Sequence, residues 1–254
     1  MNASTPFTVR VVEPKHNVKI SIIDIPEIDP QLKLLLDEKL ISICEGCSPS
    51  ELTLVKSRVL RFMAPKDANT KMGATAELFM HLYLSTLGFK QECLFLNLEE
   101  NSIKKGFDGY YSKENEEWIM ESKSGAIETI GISHRSKIKE SYEDLKSKLA
   151  GGANNNPWRN AYNHASHADV GTHPSIKSQI RKLADSYEAK SFCDIKDFNI
   201  IPGSTIFLSD TWKDNDTDMV DKLTNLLATL EFKKIVAICI TKRSLNLFIE
   251  YLGE

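Results

Sequence analysis

Gly106-Phe107-Asp108-Gly109, followed nine residues further on by Trp118-Ile119-Met120-Glu121-Ser122-Lys123, decides how this chain is read. The first stretch sets an acid in a glycine-flanked turn. The second ends a short apolar run in Glu-x-Lys. Side chains alternate along a strand, so Glu121 and Lys123 share one face, ~7 Å apart. Two carboxylates and an ammonium gathered at one strand end suit a hard divalent cation and a water nucleophile. Asp108, Glu121 and Lys123 are therefore the leading candidate site.

Working outward, the segment from Gly73 to Leu87 predicts a helix. Ala76, Phe79, Met80, Tyr83, Leu84 and Leu87 form its buried stripe, Gly88 stops it, and Glu77 is an acid inside it. Strands are expected at about 90–98, 106–112 and 116–123, then a helix from about Ser133 to Ala150, ending at Gly151-Gly152. Residues 151–173, rich in Asn, Ser, Gly and Thr, read as a long loop. A helix at about 174–190 follows, then a short strand at Thr205–Leu208 and an amphipathic helix from Asp218 to Leu230. Lys234–Ile240 reads as a strand buried on both faces, which implies a sheet covered on both sides. The expected fold class is α/β, a mixed central sheet flanked by helices.

Ahead of this core, residues 7–25 predict two paired extended segments broken at Glu13-Pro14, and 30–44 a helix. Residues 64–72 are polar without apolar periodicity and read as a connector. The expected division is an N-terminal strand and helix region, 1–65, and a core, 66–254. The length suits one α/β domain with embellishments.

With 41% apolar and 26% charged residues, the chain has ordinary globular composition. It has no apolar run of membrane-spanning length, and its N-terminus lacks a signal-peptide pattern, so the expected location is the cytoplasm, with no membrane partner. The net charge of −3 excludes a diffuse nucleic-acid coat but not a local basic groove. Arg135, Lys137, Lys139, Lys146 and Lys148 cluster in one segment, and Lys177, Arg181 and Lys182 in another. Solvated helix faces balanced by nearby acids, such as Glu140 and Asp144, account for them equally well. Five unevenly spaced cysteines argue for reduced thiols rather than a disulfide framework. Cys44-Glu45-Gly46-Cys47 has zinc-ligand spacing but no second pair. His164, His167 and His173 fall in the polar 151–173 segment, where substrate contact is a stronger reading than metal ligation.

The helix with Glu77, the hairpin with Asp108 after Gly-Phe, and Glu121-x-Lys123 on the next strand together resemble the PD-(D/E)xK nuclease superfamily. The likeness covers about residues 73–150, with Phe107 where the motif's proline would stand. It implies that Asp108 and Glu121 hold a Mg²⁺ or Mn²⁺ ion, with the main-chain carbonyl of Ser122 as a further ligand. Lys123 would position or deprotonate the attacking water, and Glu77 would assist from the helix. It also implies DNA as substrate, with Arg135, Lys137, Lys139, Lys177 and Arg181 as candidate nucleic-acid contacts. More narrowly, the same run is similar to the nuclease subunit of Hachiman-type anti-phage systems, which implies a restraining helicase partner. Region 1–65 and the 151–173 segment would then be candidates for contact with it. Two other readings share these residues: a nuclease-fold binding module without catalysis, and an RNA-directed nuclease.

Overall fold

The computed structural model describes residues 6–96, 106–209, 211–213 and 217–254. Its strands are β1 (Thr8–Lys15), β2 (Val18–Ile25), β3 (Lys90–Gln91), β4 (Gly109–Lys113), β5 (Glu116–Ala126), β6 (Asn199–Leu208) and β7 (Lys234–Arg243). They form one sheet in the order β1-β2-β7-β6-β5-β4-β3. The four central strands, β2, β7, β6 and β5, run parallel, while β1 and the β3-β4-β5 meander are antiparallel. The chain is α/β with a mixed, helix-flanked sheet, as its hydrophobic patterning predicts.

Each sheet face has its own core, because alternate residues of a buried strand point to opposite sides. Ile238 and Ile240 of β7 join Leu36, Val59, Phe79 and Phe248 from α1 (Pro30–Glu45), α2 (Leu52–Met63), α3 (Ala68–Thr86) and α8 (Asn246–Gly253). Ala237 and Cys239 join Ile138, Trp158, Ile180 and Leu223 from α4 (His134–Leu149), α5 (Pro157–Ser166), α6 (Pro174–Glu188) and α7 (Met219–Leu227). Strand β2, from the expected N-terminal region 1–65, pairs along β7 from Val18↔Ile235 to Ile25↔Lys242.

Several elements differ from their sequence patterns for identifiable reasons. Helix α3 begins at Ala68, inside the expected 64–72 connector, because the Asp67 side chain caps it by accepting from the N–H of Thr70 at 2.9 Å. Strand β6 starts at Asn199 rather than 205. Pro202 and Gly203 disguise it, and pairing with β7 is interrupted at Ile201 and Pro202, where proline offers no N–H. The strand expected at 90–98 pairs only at Lys90 and Gln91. The N–H groups of Phe95 and Leu96 turn instead to the carbonyls of Ile43 and Cys44 at the end of α1. Residues 97–105 of that region lie outside the described residues. The 151–173 segment is not a long loop: Asn156 caps α5 by accepting from the N–H groups of Trp158 and Arg159.

Two contacts bring helices close enough to the sheet to shape the site. A Cβ on Gly203 would come 3.0 Å from Met80 Cε and 3.3 Å from the Glu121 carbonyl oxygen, so glycine there lets α3 lie close against β5 and β6. On the opposite face, the Ser141 hydroxyl of α4 donates to that Glu121 carbonyl at 2.7 Å.

Candidate functional site

Backbone pairing between β4 and β5 ends at Gly109↔Met120. Asp108 stands one residue before β4, and its Oδ2 accepts the N–H of Ser122 at 2.8 Å, so a carboxylate continues the ladder where the backbone stops. Gly109 leaves no room for a side chain, since a Cβ would come 2.5 Å from the Tyr111 ring. A strand residue's N–H and C=O leave the same edge of the strand. The Ser122 carbonyl therefore faces the Asp108 side, the orientation that the expected ligand role needs.

Glu121 and Lys123 face α4. Glu121 is 3% exposed. Its Oε1 accepts from Lys123 Nζ at 3.1 Å, and its Oε2 from Lys148 Nζ at 2.5 Å. Asp144 of α4 shares the ammonium groups of both lysines, with Oδ2 2.5 Å from Lys123 Nζ and 3.5 Å from Lys148 Nζ. Glu77 approaches from α3, 7% exposed, with Oε1 3.3 Å from His81 Nε2. His81 Nδ1 lies 2.5 Å from the Tyr111 hydroxyl, so a buried chain from β4 through His81 fixes the Glu77 carboxylate. Glu77, Asp108, Glu121, Ser122 and Lys123 thus share one locality.

The charges there act on one another. Burial, followed by the Glu77 carboxylate, pushes Asp108 up to about 6. Burial, followed by the Asp108 carboxylate, pushes Glu121 well above the usual carboxylate range. Burial works against the Lys123 ammonium, but Glu121 and Asp144 more than offset it, and the group stays charged above its ordinary range. Burial likewise opposes the Lys148 charge, and Glu121 and then Asp108 more than restore it. Asp144 is held down at about 2: its bonds to Glu121 and Lys123 outweigh its burial. Lys123 is accordingly held as an ammonium in this arrangement, a donor of hydrogen bonds.

Asp144 and Lys148 are the candidate site residues that sequence reasoning missed: it left Lys148 between a basic groove and a solvated helix face and took Asp144 as a balancing acid. A signal was present: they are four apart, flanking the turn-to-turn face on which Ser141 and Leu145 are buried. His81 was also missed, and its four-residue spacing from Glu77 was the available cue.

The nucleic-acid candidates disperse. Arg135 and Lys139 are exposed on α4, and Lys137 pairs with Glu140 at 2.8 Å. Arg135 lines a cavity of about 370 Å³ with Lys213 and Lys222, floored by Ile206, Leu208 and Met219. Lys177 and Arg181 sit on α6, which packs on α5. The histidines serve local structure: His167 caps a short turn and His173 caps α6, while His164 Nδ1 accepts the N–H of Leu94 at 3.4 Å. Cys44 is buried at the end of α1, and Cys47 is exposed just beyond it, its N–H donating to the Asp169 carbonyl.

Among the described residues, no group of three or more His, Cys, Asp or Glu side chains converges as a metal-holding set. Asp108, Glu121 and the Ser122 carbonyl would offer oxygen donors, the ligand type that suits Mg²⁺ or Mn²⁺, which bind through one or two carboxylates and complete their shell with water and phosphate. The raised carboxylates fit such an ion, because burial and Glu77 disfavour the Asp108 charge, burial and Asp108 disfavour that of Glu121, and a cation would offset both.

Fold and site together define an α/β protein with an acid and lysine cluster built where a hairpin meets a parallel sheet. The family model named HamA matches residues 12–252, and the chain belongs to that family, which places it among Hachiman-type anti-phage defence proteins, a system with partner subunits. No curated protein and no solved structure matches it. Among the described residues, no helix is long and apolar enough to cross a membrane.

Proposed function

We propose that this chain is the nuclease of its defence system, a PD-(D/E)xK-type enzyme hydrolysing DNA phosphodiesters with Mg²⁺ or Mn²⁺, in the cytoplasm and under the restraint of a helicase partner. The observation that carries this reading is the Asp108–Ser122 bond, which sets an acid beside Glu121-x-Lys123 with Glu77 behind it. When bound, a divalent ion would supply charge stabilisation to the phosphate and a water acidified toward neutral pH. Asp108, Glu121 and the Ser122 carbonyl would hold it. Lys123, kept protonated, would donate hydrogen bonds to the attacking water or to a phosphate oxygen. Glu77, fixed through His81 and Tyr111, would hold the shape of the acid pair.

The cavity lined by Arg135, Lys213 and Lys222 supports nucleic acid as the substrate class, since among the described residues three cations line it and no acid does. Exposed Lys139 would extend that basic surface along α4.

The test incubates purified protein, with Mg²⁺ or with EDTA, against linear, circular and single-stranded DNA and against RNA. Metal-dependent DNA cleavage that Asp108→Ala and Glu121→Ala abolish, with circular dichroism unchanged, is expected. Lys123→Ala should abolish cleavage while metal binding is retained. EDTA-resistant cleavage of RNA would favour an RNA-directed enzyme. Wild-type cleavage by a well-folded Glu121→Ala/Lys123→Ala double variant would overturn the assignment. If the isolated chain is silent, the same assay on the complex co-purified from its host tests for the partner.

A further inference from the structure

Both oxygens of Glu121 are committed to lysines, and the two lysines differ in origin. Lys123 lies on the same strand, two residues away. Lys148 reaches in from α4, with its ammonium 2.5 Å from Glu121 Oε2 and its charge anchored a turn earlier by Asp144 at 3.5 Å. Its side chain is only 16% exposed. The ammonium therefore sits on a carboxylate oxygen that the proposed metal site needs.

We infer that Lys148 is a resident cation of the acid cluster and competes with a divalent ion for Glu121. The inference rests on the metal-dependent reading above. A dication held by Asp108 and Glu121 would stand within a few ångströms of the Lys148 ammonium. Like charges so close in a partly buried setting repel strongly, so ion and ammonium do not both keep Glu121. The structure gives the displaced group somewhere to go. Lys148 lines a polar cleft of about 340 Å³ together with Asp144, Ser147, Asn154 and Asn155. Its neighbours there include amide and hydroxyl oxygens able to accept from an ammonium. The Asn-rich stretch that follows α4 thereby acquires a role as the wall of this cleft. Lys148 is thus a positioning residue: it fixes Glu121 when no ion is bound and withdraws when one binds.

The test is calorimetric titration of Mn²⁺ and Mg²⁺ into the metal-stripped full chain, wild type against Lys148→Met and Lys148→Arg, with urea unfolding of each in EDTA. Lys148→Met should bind the ion at least tenfold more tightly and unfold at lower urea without it, while Lys148→Arg should keep the wild-type affinity. A purely structural lysine would lower stability without tightening the ion. If Lys148→Met fails to fold, Lys148→Gln, which still donates one hydrogen bond to Glu121, carries the same comparison. Equal or weaker binding by the folded variant would overturn the inference and leave the metal site standing. No binding by wild type or variant at millimolar ion would overturn the metal reading, and this inference with it.

Discussion

Asp108→Asn should stabilise the metal-free fold while removing its function, and the size of the effect follows from the site. Asp108 carries its charge beside Glu77 and under burial that lifts it from 3.8 to about 6. Each unit of such a shift corresponds to ~1.4 kcal/mol, so holding the carboxylate ionised costs about 3 kcal/mol at neutral pH, or about 2 kcal/mol once partial solvent contact is allowed for. Asparagine matches the carboxylate in shape, and its carbonyl oxygen still accepts the Ser122 N–H, so the ladder extension survives. Because the folded value is raised, the penalty is absent below about pH 4 and complete above about pH 7. The stability gap between variant and wild type should therefore open as pH rises through that window. Urea unfolding in EDTA at half-unit pH intervals measures it. The same series with Mg²⁺ should stabilise the wild type and leave the variant unmoved. A variant less stable than wild type in EDTA at pH 7.5, or a gap independent of pH, would refute the view of Asp108 as a strained acid waiting for a cation.

Two further expectations concern buried titrating groups away from the acids. Lys242 of β7 is fully buried over the Phe79 ring, its Nζ without a hydrogen-bond partner among the described residues, and burial lowers it to about 7. Lys242→Met should raise stability at pH 7 by about 4 kcal/mol, an advantage that shrinks as pH rises from 7 to 10.5, where the unfolded lysine also loses its charge; urea midpoints across that range check it. His134, which bonds Ser204 Oγ at 2.8 Å and Thr241 Oγ1 at 3.1 Å, is pushed by burial down to about 4. Its contribution should fall by about 3 kcal/mol between pH 6.5 and 4, so the stability lead of wild type over His134→Gln should narrow across that interval in the same assay.

The sequence shows α1, α3, α4, α6, α7 and its two best strands because apolar periodicity is local, and it shows Asp108 and Glu121-x-Lys123 because a turn and a strand bring them together within fifteen residues. What it hides is whatever depends on a partner distant in sequence. Asp144 and Lys148 resemble any exposed pair on a charged helix until α4 is laid across β5, and then they become the counter-charges of Glu121. Likewise, the Pro202-Gly203 step breaks a strand pattern whose function emerges only when Met80 of α3 occupies the space a Cβ would fill. The histidines of the 151–173 segment attract a chemical reading by composition alone. His167 and His173 prove to cap helical turns, and His164 to accept the N–H of Leu94.

The economy of the acid cluster argues for binding rather than stability. Glu77, Asp108 and Glu121 come from α3, the turn before β4, and β5, three elements that could each have presented an apolar side chain to the same space. Leucine or methionine at any of them would relieve repulsion that the fold instead maintains, since burial and like charge raise both Asp108 and Glu121. Two lysines offset part of that repulsion, and one of them reaches in from a helix bordering an open polar cleft. A cluster built only for stability would match its charges internally and close over them. This one leaves its carboxylates raised and its second lysine at the edge of a cleft, which is the arrangement expected where an incoming cation completes the balance.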